Sequence, residues 1–568
     1  MMVSPVNGNR GVGSAAGARQ RRSPGIAVLA AGVLIVLIWL VLYPNLFVVG
    51  DSFMDAGKAT GRHYARFFGS AAELRALWNS VWISLASVAL SALIGVPLAF
   101  LFARRDFPGR RLLGGLASMP VLLPPLVGTI AFEFLYGDSG FLTRGIQALL
   151  GMGHAPWHMS GAWAVLLVHA YTMYVYFYMF VSAGLARLDS GYAEAAAALG
   201  ANPWTTLRRV TLPMLGPALG GASLLVFMTS MASFSAPYIY NFRVLTTQVY
   251  SSRVNGEGGL VAVESVILAL VSFAFLIPLQ RYESAREYTG ASKGLGAVTR
   301  ERSGRGWLLT LAGTIFVIFL LLPHLTVLLV SFVPEGTWTT EILPPVYSAE
   351  PYRRMFSEAE QLRPVLNSLR MATVATVANV AFAFAAAYLL ARTRVRGKGV
   401  VNALVTLPWA LPGTVLAVAL ASTFSVNRPL AGRFVLVGTF AILPLAYFIR
   451  NIPLVTRAAL SSFRQLDPSL EEASASLGAG PATTMRRVVL PLVLPGLMAG
   501  ALLAFVTALG EFVASILLYT NRTRPISMEM LSQLRAFDFG GASAYGVLLI
   551  ILVALVFATG YRNVVEGG

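Results

Sequence analysis

No cysteine occurs anywhere in the 568 residues, which excludes a disulfide scaffold, thiolate metal sites and thiol catalysis without assigning a compartment. Charge is scarce too: only 12% of residues are charged, and the 43 basic side chains far outnumber the 25 acidic ones, for a net charge of +18. No Gly-x-x-x-x-Gly-Lys-Ser/Thr phosphate loop is present, so the chain lacks that type of nucleotide site. Apolar residues are abundant: 56% of the chain is hydrophobic and the mean hydropathy is +0.69, too apolar for a soluble chain of this length. The composition predicts a polytopic membrane protein.

A hydrocarbon core about 30 Å thick calls for roughly 20 apolar residues per helical span. Twelve stretches meet that need: 26–49, 80–103, 113–136, 161–185, 214–236 and 260–280, then 307–333, 368–391, 400–424, 432–449, 492–518 and 543–561. The first follows Arg19, Arg21 and Arg22 as a secretory signal would, but it is too long and no small-residue cleavage site follows, so it reads as an uncleaved helix. With the N-terminus in the cytoplasm and sides alternating at each span, the basic clusters Arg104, Arg105, Arg110, Arg111 and Arg392, Arg394, Arg396, Lys398 all fall inside. The positive charge is therefore topological, and no nucleic-acid partner is needed to explain it.

The chain also repeats itself. Asn79-Ser80-Val81 opens the second span and Asn367-Ser368-Leu369 the eighth, an offset of 288 that also aligns Pro120 and Pro124 with Pro408 and Pro412. Past a loop shorter by ten residues in the second copy, the offset becomes 278 and runs from Gly200/Gly478 through Pro213/Pro491 to Phe234/Phe512. Six spans per copy is an even number, so the copies are parallel and related by a pseudo-twofold axis along the membrane normal, with a pathway expected between them. The fold class expected is an all-α polytopic membrane protein of about 12 transmembrane helices in two parallel six-helix repeats. The division is a basic cytoplasmic segment 1–25, a first repeat 26–280, a solvated cytoplasmic linker 281–306, a second repeat 307–561 and a tail 562–568.

On the cytoplasmic side, after the fourth span, the chain reads Glu194-Ala195-Ala196, three residues, Gly200, nine residues, Val210, one residue, Leu212-Pro213. After the tenth it reads Glu472-Ala473-Ser474, then Gly478, Val488 and Leu490-Pro491 at the same spacing. Asp189-Ser190 and Asp467-Pro468-Ser469 supply turn and capping chemistry before a short Ala- and Glu-rich helix. Gly200 and Gly478 then stop that helix, and Pro213 and Pro491 reset the backbone before the next span. Small side chains leave such a helix slim enough to lie in a groove of another protein. An alternative is an interfacial helix that only orients its neighbours.

This pattern resembles the EAA loop of permeases of ATP-binding-cassette importers, and the resemblance covers essentially residues 25 to 561. It departs in Val210 and Val488 for Ile and in Ser474 for Ala. The resemblance implies that the two loops are coupling helices, each docking in a cleft of one ATPase subunit. It thus implies two ATPase copies that carry ATP and Mg, with no catalytic residue, resident metal or cofactor on this chain. It further implies a periplasmic or lipid-tethered solute-binding protein, a bacterial inner-membrane location with both termini cytoplasmic, and alternating access. The fused two-copy form looks most like ferric iron permeases; the stretch Leu245-Thr246-Thr247-Gln248-Val249-Tyr250 and the acid at 511 support that choice. Permeases for thiamine, aminoethylphosphonate, polyamines or sulfate share much of the pattern.

Ionisable groups inside a span are costly and are candidates for function. Glu511 in the eleventh span aligns with Ser233, and a carboxylate on one side of the axis suits a cationic or hydroxyl-rich cargo, or else a helix–helix hydrogen bond. His169, Tyr171, Tyr174, Tyr176 and Tyr178 sit near the middle of the fourth span, where they need partners or line the pathway. Glu133 and Glu264 fall near span ends, with easier access to water, and read as structural. His154 and His158 flank Pro156 in an outer loop, which argues against a helical metal pair. The prolines of the third and ninth spans break backbone bonding, as hinges or as static kinks. An ion-gradient transporter would explain the spans but not the duplicated loops. A membrane enzyme is disfavoured, because no nucleophile–base or metal-ligand cluster appears at useful spacing.

Overall fold

The computed structural model describes residues 24–55, 57–189, 191–285, 301–302, 306–338, 341–393, 395–425 and 434–565. The basic N-terminal cluster, most of the 281–306 linker, Ser190, Arg394 and the last residues of the tail lie outside them. Among the described residues the fold is all-α apart from four two-residue strands. In the first half the helices are α1 (Pro24–Ser52), α2 (Ala71–Arg104), α3 (Arg110–Leu116), α4 (Pro125–Tyr136), α5 (Gly161–Arg187), α6 (Gly191–Ala198), α7 (Gly216–Met231), α8 (Ser235–Ile239), α9 (Leu245–Val254) and α10 (Gly258–Ala285). The second half repeats them in order: α11 (Gly306–Val330), α12 (Ala359–Arg392), α13 (Lys398–Ala410), α14 (Gly413–Thr423), α15 (Ile442–Gln465), α16 (Ser469–Ser476), α17 (Leu490–Leu509), α18 (Ser515–Leu518), α19 (Ile526–Arg535) and α20 (Phe539–Val565).

Among the described residues nine helices are long and apolar enough to cross a membrane, and eleven if two bent pairs count as spans. Those pairs are the third and ninth spans, whose prolines were expected to break backbone bonding. The chain turns by 103° between Leu122 and Pro125 and by 108° between Ala410 and Gly413. Pro124 (φ −55°, ψ 143°) and Pro412 (φ −56°, ψ 145°) hold the same extended geometry at the two corners. A proline there cannot donate the helical hydrogen bond, and it starts the following helix with its φ already set. The expected tenth span at 432–449 is displaced: its helix is α15, starting ten residues later and running on to Gln465. Arg450, Asn451 and Arg457 lower its hydropathy, which is why an apolar run ended before them.

The motif that first exposed the repeat has a structural cause. Ser80 Oγ accepts the Leu245 amide at 2.8 Å, and Ser368 Oγ accepts the Ile526 amide at 2.8 Å. Asn79 Nδ2 donates to Arg243 O at 2.8 Å, and Asn367 Nδ2 to Arg522 O and Arg524 O at 3.0 Å. Each Asn-Ser pair, about two turns into a long helix, thus ties that helix to the re-entry into α9 or α19, satisfying backbone groups that lack helical partners.

Small residues let the long helices approach closely, as membrane helix packing favours. A Cβ on Gly95 of α2 would fall 2.4 Å from Tyr174 O on α5, and Ala383 takes the equivalent buried place on α12. The halves exchange their first helices. α1 packs against α14 and α12 of the second half, whereas α11 packs against α4 of the first, and each also meets the last long helix of its own half.

Candidate coupling and translocation sites

The two loops that follow α5 and α15 fold alike. Asp189 Oδ1 accepts the Gly191 amide at 2.8 Å and Asp467 Oδ1 the Ser469 amide at 2.9 Å, opening α6 and α16. That amide holds the Asp467 carboxyl below the usual range. At the far end Gly200 (φ +83°) and Gly478 (φ +80°) take the left-handed conformation. The pairs Ala201 N to Ala196 O at 3.0 Å and Ala479 N to Ser474 O at 3.1 Å then close the helix ends. Ser474, the departure from the motif, shares a hydrogen bond with Thr484 at 2.9 Å. Arg392 at the end of α12 pairs with Glu471 at 3.0 Å and donates to Leu466 O at 2.6 Å, fastening α16 to the membrane bundle.

Leu199 and Leu477, one residue before the glycines, are each 89% exposed. Sequence reasoning missed them, although a leucine before each glycine was visible in both copies. Tyr192 and Trp204 are exposed beside Leu199, and Leu470 stands exposed in the second loop. Apolar tips on two slim helices are features of surfaces that seat in grooves.

At the centre, the fifth and eleventh spans are interrupted: α7 ends at Met231 and α8 begins at Ser235, while α17 ends at Leu509 and α18 begins at Ser515. Phe234 and Phe512 meet there across the axis with centroids 5.7 Å apart. Gly510 lies against Pro124 of the other half, where a Cβ would approach Pro124 Cβ to 3.3 Å.

Glu511 is 8% exposed and is already engaged. Its Oε2 faces Arg450 Nε at 3.1 Å, and its Oε1 accepts the Ala514 amide at 2.9 Å. Both contacts lie within the second half, the first reaching from the break after α17 to α15. Arg450 was missed because the predicted span stopped at residue 449; the 278 offset, which also aligns the helix ends Arg187 and Gln465, pairs it with Thr172. In the first half the equivalent place is neutral. His169 Nε2 hydrogen-bonds Ser233 Oγ at 2.9 Å, and Nδ1 meets Ser87 Oγ at 2.9 Å and Ser230 Oγ at 3.2 Å.

Three of these tyrosine hydroxyls are spent on backbone. Tyr171 donates to Leu320 O at 2.6 Å, Tyr174 to Ala117 O at 2.5 Å and Tyr178 to Gly114 O at 2.9 Å, tying α5 to α11 and to the broken third span. Glu264, expected near water, is fully buried, where it accepts Ser252 Oγ at 2.6 Å. His158 meets Asp138 at 3.0 Å, and no group of three His, Asp or Glu side chains suited to a metal occurs among the described residues.

A helical membrane bundle built twice, with paired loop helices on one side and paired helix breaks at its centre, defines a transport permease. The chain belongs to the family of binding-protein-dependent transport system inner membrane components, whose model matches residues 95–286 and again 379–565. It is 29% identical over 493 residues to a probable ABC transporter permease protein, y4fN, of Sinorhizobium fredii, covering 85% of this chain and 86% of that protein. The ferric transport system permease protein FbpB of Actinobacillus pleuropneumoniae is 25% identical over 92% of this chain and 76% of its own length. The sulfate transport system permease protein CysT of Salmonella typhimurium is 36% identical over 34% of this chain and 72% of its own.

Proposed function

We propose that this chain is the complete membrane pathway of an ATP-driven importer, receiving its cargo from a solute-binding protein outside. Two copies of an ATPase subunit seat on α6 and α16, and both chain termini lie in the cytoplasm. The observation that carries this reading is the pair of loop helices presenting Leu199 and Leu477 in matching, almost fully exposed positions beside left-handed glycines. Nucleotide-driven closure of the ATPases then favours one arrangement of the two halves over the other, and that difference in affinity drives alternating access. The test is reconstitution: the chain with its ATPase and binding protein should hydrolyse ATP and accumulate cargo, and uptake by this chain alone against a gradient would refute the assignment.

For the cargo we propose ferric iron. The support is the fused form: the ferric relative aligns with nearly the whole chain, whereas the sulfate relative aligns with one third of it. The partly exposed Arg450 favours a second reading, an oxyanion such as sulfate. Labelled ferric iron and labelled sulfate, each offered to the reconstituted importer, separate the two.

A further inference from the structure

Helix α15 is buried on most of its surface, but Arg450, Leu454, Arg457, Ser461 and Arg464 are partly or fully exposed. Spaced four, three, four and three residues apart, they form one stripe along the helix. Arg450 Nη1 is so close to α14 that a Cβ on Gly413 would lie 1.9 Å from it. Arg457 donates to Thr406 Oγ1 on α13 at 2.6 Å, and among the described residues no carboxylate stands within ion-pair distance of it. Arg464 follows close enough to repel Arg457. Its place in the last turn also suits the negative end of the helix, so the argument rests on the other two. The matching stripe on α5 is Thr172, Tyr176, Met179, Ala183 and Ala186, without a charge. Among the described residues Glu511 is the one acid that forms an ion pair with the stripe, and it offsets Arg450 alone. Arginines at membrane depth face a water-filled cavity or the bundle interior, because facing hydrocarbon is costly.

We infer that α15 forms a cationic wall along the inward half of the pathway, so that the cargo travels as a net anion. This rests on the permease reading and narrows the cargo to a free oxyanion or to ferric iron held in a negatively charged chelate. Successive arginines are seven residues apart, about 10 Å along the helix, comparable to the Debye length of about 8 Å at physiological salt. An anion midway between two of them is about 5 Å along the helix from each, inside that length. At Arg450 the cargo competes with the Glu511 carboxylate, which re-forms the ion pair once the anion has moved on.

Because the chain has no cysteine, a single introduced thiol reports on this wall without any cargo. Ser461→Cys and, separately, Leu454→Cys are placed in the full importer in inverted vesicles and treated with an anionic and a cationic methanethiosulfonate of similar size. The anionic reagent should react faster by about tenfold or more, relative to the same pair on a free thiol. Adding Arg450→Gln and Arg457→Gln should bring the ratio near one, and Ala183→Cys on the neutral wall should show little preference. Equal rates at residues 454 and 461, no reaction at either, or a preference seen only when the vesicles contain phosphatidylglycerol would overturn the proposal. Uptake of labelled sulfate and of labelled ferric citrate identifies the source of the charge. Arg457→Gln should lower uptake of the transported one at least about fivefold, with recovery in Arg457→Lys, and unchanged uptake would count against the wall. The thiol ratio judges the wall itself, whereas absence of ATP-dependent uptake in the unaltered importer counts against the permease reading.

Discussion

Phe234 and Phe512 occupy the same position in the two copies of the repeat, and their rings meet across the pseudo-twofold axis with centroids 5.7 Å apart. Both are buried and both lie where a membrane helix is interrupted. Each break frees backbone groups that would otherwise be locked in a helix, and the aromatic rings fill the space between the halves. The contact is a pair built by symmetry from one residue type.

Removing it should open a leak. Phe512→Ala leaves Phe234 without its partner, an aromatic contact worth about 0.5–1.5 kcal/mol beyond the area it buries. Proteoliposomes carrying Phe512→Ala should lose an entrapped small solute faster than wild type without ATP, and the double variant with Phe234→Ala should lose it faster still. Wild-type retention in the double variant would mean that the seal lies elsewhere.

The exposed leucines should govern coupling without affecting the fold. Leu199→Ser together with Leu477→Ser removes two apolar tips that touch nothing in this chain's core, so insertion and melting temperature are expected to stay unchanged. ATP-driven uptake should fall by about tenfold, the effect of losing about 1.4 kcal/mol of docking affinity when the ATPase is limiting. Replacing Glu194 and Glu472 together should likewise uncouple transport in a folded, inserted protein.

Ser80→Ala and Ser368→Ala each strip the acceptor from a backbone amide at the start of α9 or α19. An orphaned buried donor costs about 1–3 kcal/mol. Thermal unfolding in detergent should show similar losses for the two variants, because the sites are copies, and roughly additive losses for the pair, because they are far apart.

Gly413→Ala should mimic loss of Arg450. The added methyl meets Arg450 Nη1 and forces the guanidinium away from Glu511. Transport in Gly413→Ala and in Arg450→Gln should be impaired to a similar degree, and combining them should add little. Independent, additive defects would show that the two residues act separately.

Much of this architecture was legible in the chain. The Asn-Ser and Gly-Leu-Pro repeats marked the copies because each does a backbone job that recurs: Ser80 and Ser368 cap the same re-entry, and Gly200 and Gly478 supply the same left-handed turn. The corners at Pro124 and Pro412 were visible as prolines, but a proline signals a break and not its angle. Arg450 escaped notice because apolar runs are bounded by their charges, and this helix carries its charges inside its length. The hydroxyls of Tyr171, Tyr174 and Tyr178 were seen to need partners, but which carbonyls they reach depends on helix packing that composition does not encode.

The two sharp corners have a consequence for how little must move. Because each broken span turns by more than 100° at a proline, its second limb leaves the line of the first, and at that place the halves meet where Gly510 rests on Pro124 and the phenyl rings touch. If that layer of contact is the seal of the proposed pathway, a slight swing of one copy past the other would breach it, and the stroke asked of the proposed ATPases would be short.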